Sequence, residues 1–211
     1  EHSFICCLSS LNLAKWEEFK DTDCIQTAIW FLDGVMEEFI AKSNGKESLK
    51  RTHKHAKKGR ALGLGVMGWH TFLQKKDLPF NSIASTAWTH TVFSQIKLKA
   101  ESASRQLAEE YGEPLWCRGT GMRNTHLLAV APTVSNSRIS GCSAGIEPQP
   151  ANVYTFNGAK GTFIVKNPEL VKKLKETKND TEKIWDQILV DNGSVQNLPN
   201  NVLSEEDKET F

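Results

Sequence analysis

Over residues 23–41 the apolar residues Ile25, Ala28, Ile29, Leu32, Val35, Met36, Phe39 and Ile40 return at the spacing of one helix face, and Asp23 stands at a capping position. A second long helix is predicted over residues 82–111, stopped by Gly112 and Pro114. Residues 61–78 also read as helical, with Gly63, Gly65 and Gly68 forming a small-residue side suited to close packing. Three apolar runs read as strands: residues 4–8, followed by a turn-like Ser9-Ser10-Leu11-Asn12; residues 125–131 (THLLAVA), with the clearest buried-strand signal; and residues 162–165. Pro132 ends the second run, and the hydroxyl-rich stretch after it, to Gly141, is a turn suited to opening a short helix. Gly145-Ile146-Glu147-Pro148 lies in a further loop. Asn167-Pro168 starts a last helical region that reaches Leu189, and residues 191–201 are polar and turn-rich. With no internal repeat or low-complexity linker, the chain reads as α/β, helix-rich, and as a single region over 1–211.

Composition narrows this picture rather than changing it. A chain of 211 residues with 39% hydrophobic content can bury one sizeable core or two small ones. Lys and Arg total 26 against 25 for Asp and Glu, so the charge of +1 gives no global reason to expect nucleic acid or an anionic membrane as partner. The basic stretch at residues 50–60 (KRTHKHAKKGR) is either a phosphate-binding patch or a solvated helix face. The second reading prevails, because aromatic interleaving and a glycine-rich RNA-type motif are both missing. No apolar run approaches the roughly 20 residues that cross a bilayer, and Glu1-His2-Ser3 does not begin a signal peptide, so a cytoplasmic location is expected. Cys6, Cys7, Cys24, Cys117 and Cys142 are odd in number, which favours a reducing compartment, and they form no zinc-ligand pattern, so no metal is expected on this chain. Glu rather than Met at position 1 fits processing or a piece of a longer chain.

Three features bear on chemistry. Gly63-Leu64-Gly65-Val66-Met67-Gly68 is a literal GxGxxG, but Lys57-Lys58-Gly59-Arg60 precedes it where a dinucleotide fold needs a hydrophobic strand. No acidic residue occurs between Asp77 and Glu101 to hold a ribose, and helix packing is the reading preferred here. A strand running into Thr133-Val134-Ser135-Asn136-Ser137 would present free backbone N–H groups beside hydroxyls, which suits an anion; an ordinary helix cap explains the same residues equally well. Cys6 and Cys7 would face opposite sides of a strand. A strand cysteine is more often an apolar filler than a redox group, and adjacent cysteines would make a strained bond with each other.

A resemblance breaks these ties. Cys6-Cys7-Leu8-Ser9-Ser10-Leu11-Asn12-Leu13 resembles the barrel strand of class I ribonucleotide reductase large subunits that bears one of two redox cysteines. Arg60 to Trp69 is similar to the family's glycine-rich segment, read there as a helix, and Arg123-Asn124-Thr125 through Ser137 to its strand and substrate-phosphate loop. Gly145-Ile146-Glu147-Pro148-Gln149-Pro150-Ala151-Asn152 and Gly193-Ser194-Val195-Gln196 resemble segments downstream, in the family's order. The resemblance implies roughly the second half of a ten-stranded α/β barrel, part of a catalytic subunit that reduces ribonucleoside diphosphates to deoxyribonucleoside diphosphates. It implies Cys6 as the catalytic thiol that pairs with a second barrel cysteine as the ribose 2'-hydroxyl is lost, with Cys7 its outward-facing neighbour. It implies that Thr133, Val134, Ser135 and Asn136 hold the substrate phosphates, though Val134 replaces a Glu of some relatives, so that side chain's role does not transfer.

The same resemblance sets expectations about what works with this chain. The radical-bearing cysteine, the partner of Cys6 and the allosteric regions lie upstream in the family. Its tyrosine pair has no counterpart, since the only tyrosines are Tyr111 and Tyr154, and no cysteine follows Cys142 to supply a C-terminal dithiol. The expected partners are therefore the N-terminal part of the large subunit, as in a split, phage-type subunit or a truncated one, a metal-containing small subunit that supplies the radical, a second large subunit in a dimer, and the nucleoside diphosphate. Thioredoxin or glutaredoxin would be the external dithiol reductant, and this chain itself would bind no cofactor, no nucleic acid and no membrane. Two rivals remain at this point: a stand-alone nucleotide-phosphate-binding regulatory or structural module, with Cys6 an inert filler, and a nucleic-acid-binding module built on residues 50–60.

Overall fold

The computed structural model describes residues 2–158 and 161–211. They form two compact units: Glu1–Met67 with Trp88–Thr133, and Gly68–Ala87 with Val134–Phe211.

The first unit is built on two parallel strands, β1 (Cys7–Asn12) and β2 (Leu62–Met67), in register from Cys7 opposite Leu62 to Asn12 opposite Met67. Parallel neighbours need a long crossover. Here it carries α1 (Trp16–Phe19), α2 (Cys24–Ser43) and α3 (Lys50–Gly59). The predicted helix at residues 23–41 is thus present as α2, with Ile25, Ile29, Leu32 and Met36 buried along one face. Burying each such side chain contributes about 1.5–3 kcal/mol. Asp23 holds the cap position without a side-chain bond, and the Thr22 hydroxyl accepts the Cys24 N–H at 3.2 Å instead. The second long helix is α5 (Ile83–Tyr111), whose buried residues Val92, Ile96, Ala100, Ala103 and Leu107 recur every three or four positions. It ends as predicted at Gly112, in left-handed conformation (φ 80°), whose N–H reaches the Ala108 carbonyl at 2.8 Å. The basic stretch forms α3 with Lys50, Lys54 and Lys57 exposed, a solvated face over the buried His55, Ala56 and Gly59.

Three local predictions change. The first strand covers residues 7–12 rather than 4–8, so Ser9-Ser10-Leu11-Asn12 is strand and not turn: bonding to the wholly buried β2 overrides the weak strand preference of its polar residues. Residues 61–78 are not one helix but β2 followed by α4 (Trp69–Gln74), joined at Gly68 in left-handed conformation (φ 79°). The spacing of Gly63 and Gly65 is the two-residue period of a strand, and both face a close neighbour: a Cβ on Gly65 would lie 2.2 Å from the Ala129 carbonyl oxygen. Residues 125–131 make only a single bridge, Leu128 to Leu64. Leu62 and Leu64 donate to the carbonyls of His126 and Leu127, two residues advancing against one, so a regular ladder cannot continue. The run is also not buried throughout, since Leu128 and Val130 are exposed.

The second unit holds α4, α6 (Val134–Ser140), the antiparallel hairpin β3 (Val153–Gly158) and β4 (Gly161–Lys166), then α7 (Pro168–Glu176), α8 (Glu182–Val190) and α9 (Glu205–Thr210). The predicted helical region after Asn167 is therefore two helices, broken at Lys178 (φ 60°), and α9 follows it. Asn167 caps α7, accepting the Glu169 N–H at 3.1 Å with Pro168 in the first turn. Thr181 and Ser204 cap α8 and α9 in the same way. Leu170, Leu174, Trp185 and Ile188 pack with Val153, Val195, Leu198, Val202 and Leu203. Two of these, Val195 and Leu198, come from the stretch that reads as merely polar and turn-rich. Among the described residues no helix is long and apolar enough to cross a membrane.

Candidate functional site

Cys6 directly precedes β1 and is half-buried. Its sulfur faces the space that Gly63 leaves open: a Cβ placed on Gly63 would lie 3.8 Å from the Cys6 Sγ, 3.0 Å from the Ala129 Cβ and 2.5 Å from a Leu8 methyl. The thiol, the glycine-rich strand and the run leading to the hydroxyl-rich loop therefore meet at one point within the first unit. Cys7 opens β1, its N–H donating to the Ala61 carbonyl at 3.3 Å. Burial, with Cys6 and Asp33 nearby, pushes the Cys7 thiol up against the opposing pull of Arg60. Cys6, Cys7, Cys24, Cys117 and Cys142 are all free thiols.

Behind this point lies a buried charged network. Arg60, in left-handed conformation (φ 47°), donates to both oxygens of Asp33 at 2.9 and 2.8 Å and to Glu37 at 2.6 Å. Asn124 donates to Asp33 at 2.8 Å and to the Arg60 carbonyl at 3.0 Å, and Arg123 Nε reaches Asp33 at 3.2 Å. Burial raises the affinity of the Asp33 carboxylate for a proton, but the hydrogen bonds and charge of Arg60, with Asn124 and Arg123, outweigh it and hold the group below its ordinary value.

The loop begins at Thr133, the buried last residue of the first unit, and passes into α6 in the second. Val134, Ser135 and Asn136 are exposed in the first turn, where backbone N–H groups have no partner within the helix. Ser137 is buried, its hydroxyl donating to the Val134 carbonyl at 3.2 Å. Beside α6, within the second unit, a cavity of about 270 Å³ is lined by Val134, Ser137, Arg138, Cys142, Ser143, Glu147, Gln149 and Tyr154, among others. Arg138 lies over the Phe156 ring at 4.2 Å. Burial raises the Cys142 thiol above its ordinary value, with Lys75 opposing.

An uncharged network holds Ser143 and Gln149, two of the residues lining that cavity. Ser143 and Thr71 exchange two hydrogen bonds, each N–H to the other's hydroxyl, at 2.9 and 3.2 Å. The Gly68 N–H donates to the Ser143 carbonyl at 2.8 Å, so Ser143 satisfies the start of α4. His70 Nδ1 accepts the Gln149 N–H at 3.0 Å; burial lowers the histidine to about 4, against a raising hydrogen bond to the Thr210 backbone. Asn152 binds the carbonyls of Gly193 and Phe211 and accepts from Asn167 at 2.8 Å. A Cβ on Gly193 would lie 2.4 Å from the Ala151 Cβ, and φ there is +83°. Two segments that carry the resemblance, residues 145–152 and 193–196, are thus held against each other. Among the described residues no group of three or more His, Cys, Asp and Glu side chains is placed to hold a metal ion.

The family model described as "Ribonucleotide reductase, barrel domain" matches residues 1–116 and 117–211. The chain belongs to the ribonucleotide reductase barrel-domain family. It is 38% identical over 211 residues to the ribonucleoside-diphosphate reductase large subunit of Invertebrate iridescent virus 6, covering 98% of this chain and 22% of the viral protein. It is 33% identical to that of Invertebrate iridescent virus 3, covering 98% of this chain and 33% of that one. Among solved structures it is similar to the Actinobacillus ureae class Id ribonucleotide reductase alpha subunit, with a TM-score of 0.92 and 43% identity over 100% of this chain and 38% of that one. The chain thus spans roughly a fifth to a third of the length of these viral relatives, and the α/β barrel-family fold expected from the resemblance is established.

Residue by residue, Cys6 stands beside β2, and Thr133, Val134, Ser135 and Asn136 form one continuous loop and helix start, with the Val134 side chain open to solvent. Asp33, Arg60, Arg123 and Asn124 escaped the sequence reading as a group. Their signal is in the sequence all the same: Asp33 sits four residues after Ile29 and one after Leu32, a charge at the edge of the buried stripe of α2 that needs a cationic partner. The neutral network around Ser143 and Asn152 leaves no such signal.

Proposed function

We propose that this chain is part of the catalytic large subunit of a ribonucleoside-diphosphate reductase, in which Cys6 is a redox thiol and the loop of Thr133, Val134, Ser135 and Asn136 holds the substrate phosphates. The reaction replaces the ribose 2'-hydroxyl by hydrogen. Cys6 and a second cysteine of the large subunit supply two electrons and two protons, the hydroxyl leaves as water, and a disulfide remains. An external dithiol of the thioredoxin or glutaredoxin type returns the disulfide to thiols. A radical from a metal-containing small subunit starts each turnover, and the working assembly contains the remainder of the large subunit, a second large subunit and the small subunit in the cytoplasm.

The observation that carries this reading is the meeting at Gly63, where the Cys6 sulfur and Ala129, four residues before Thr133, share the space a side chain would fill. Within the first unit the thiol thus lies against the run that leads into the loop, as the redox reading of Cys6 requires. In the loop that Thr133 begins, the Ser135 hydroxyl, the Asn136 amide and the first N–H groups of α6 supply donors to a diphosphate. That the family match runs through both units supports treating 1–211 as one region of the barrel.

The test is reduction of cytidine diphosphate by this chain alone, and by this chain mixed with the N-terminal part of a large subunit and a small subunit. Activity in the mixture and none with the chain alone is expected. No activity in a mixture whose components associate stably would overturn the catalytic reading.

A further inference from the structure

Asp33 is a buried acid whose four hydrogen bonds exhaust a carboxylate. Arg60 Nε and Nη2, Asn124 Nδ2 and Arg123 Nε donate to its two oxygens at 2.8–3.2 Å. Arg60 in turn is fixed from a second side by Glu37 and by the Asp33 carbonyl at 3.1 Å. Its left-handed backbone (φ 47°) is one a non-glycine residue seldom adopts and keeps only where its surroundings fix it. The turn held this way leads straight to the thiol: Ala61, the next residue, accepts the Cys7 N–H at 3.3 Å, and Gly63 faces the Cys6 sulfur.

We propose that Asp33 is a positioning residue for the Cys6 thiol: by locking Arg60 in its left-handed turn it fixes where Ala61 and Gly63 hold the start of β1. This deepens the redox reading of Cys6 and rests on it. A buried ion pair is weak evidence of stabilisation, because apolar residues of the same volume often serve as well. Fixing one geometry is what a fully bonded, bidentate pair adds. The field agrees with the geometry, since Asp33 raises the neighbouring Cys7 thiol and Arg60 lowers it. Neutralising Asp33 leaves the guanidinium less opposed.

The experiment measures iodoacetamide alkylation of each cysteine in the full chain by mass spectrometry across pH, below the melting temperature of every variant, with Cys142 as internal reference. Asp33→Asn is expected to raise the Cys6 and Cys7 rates about tenfold relative to Cys142, as local opening does, and to move the Cys7 profile to lower pH. Arg60→Lys, which keeps the charge but not the fork, gives a smaller rise in the same thiols and keeps the test open if Asp33→Asn does not fold. Val92→Ala, a core truncation in α5, leaves the ratios unchanged. Unchanged ratios in both Asp33→Asn and Arg60→Lys, or the same change in Val92→Ala, would overturn the proposal. In the assembled reductase Asp33→Asn lowers kcat with KM for the diphosphate unchanged, because Asn124 keeps its bonds to the Arg60 carbonyl and the Ser104 hydroxyl. Alkylation does not depend on turnover, so failure of the redox role, read as an active Cys6→Ser enzyme, is separable from failure of the positioning role.

Discussion

The two units solve the same problem with different chemistry. In the first, the turn that presents the thiol strand is fixed by buried charges, Asp33 against Arg60 and Arg123. In the second, the segments around the cavity beside α6 are fixed by neutral groups: His70, Thr71, Ser143, Asn152 and Asn167. A charged clamp is bidentate and demanding, and losing one partner strands the other in a poorly solvating interior. A network of amides and hydroxyls spreads its cost over many bonds, each contributing about 0.5–1.5 kcal/mol net. The difference teaches where each unit is fragile, the first at one residue and the second at one protonation.

Removing one partner from each network should separate the two units most. Asp33→Ala leaves the buried Arg60 with Glu37 as its remaining acidic partner and is expected to cost about 4 kcal/mol in urea unfolding. Asn152→Ala, which removes several neutral bonds at once, should cost about 2 kcal/mol. Equal losses would mean that charge is not what distinguishes the two.

Acid separates them next. His70 has an ordinary value of 6.5 and about 4 in the fold. Between those values the unfolded chain binds a proton that the folded chain does not, so stability falls as pH drops from 6.5 to 4, by about 3 kcal/mol in all. His55 of the first unit, lowered by burial and by His126, acts in the same direction. Asp33 is lowered instead, so its contribution is whole above 3.8 and is lost only as pH falls below that, through its folded value. The urea midpoint should therefore drop between pH 7 and pH 5 in the wild type, and the drop should shrink in His70→Gln while Asp33→Asn leaves it unchanged.

Glycines supply a further contrast. Gly65→Ala meets the Ala129 backbone and Gly193→Ala meets Ala151 at a positive φ, and each should cost about 3 kcal/mol. Gly34→Ala, in α2 with nothing within 4 Å, should gain about 0.5–1 kcal/mol. A neutral Gly65→Ala would contradict the close approach of the Ala129 run to β2.

Much of this was legible from residues alone. The long helices α2 and α5 follow from apolar spacing, and the family from ordered motifs. What misled was local: the glycines of β2 suit a helix surface as well as a strand, and only the Ala129 carbonyl passing over Gly65 decides between them. The strand signal of residues 125–131 reflects β-branched and apolar content, whereas pairing depends on a register that no single segment encodes. Cys6 and the loop at Thr133 were identified by resemblance, because a strand cysteine and a capping cluster look alike with or without chemistry. The Asp33 clamp joins residues 90 positions apart, which no local pattern reveals.

On the proposed function, the Cys6 thiol reacts with a nucleotide held by the loop of Thr133, Val134, Ser135 and Asn136. The most direct measurement is cytidine diphosphate reduction by the assembled reductase containing this chain as wild type and as Cys6→Ser. Loss of multiple-turnover activity in Cys6→Ser, with nucleotide binding retained, is the result predicted; full activity in Cys6→Ser would contradict the account.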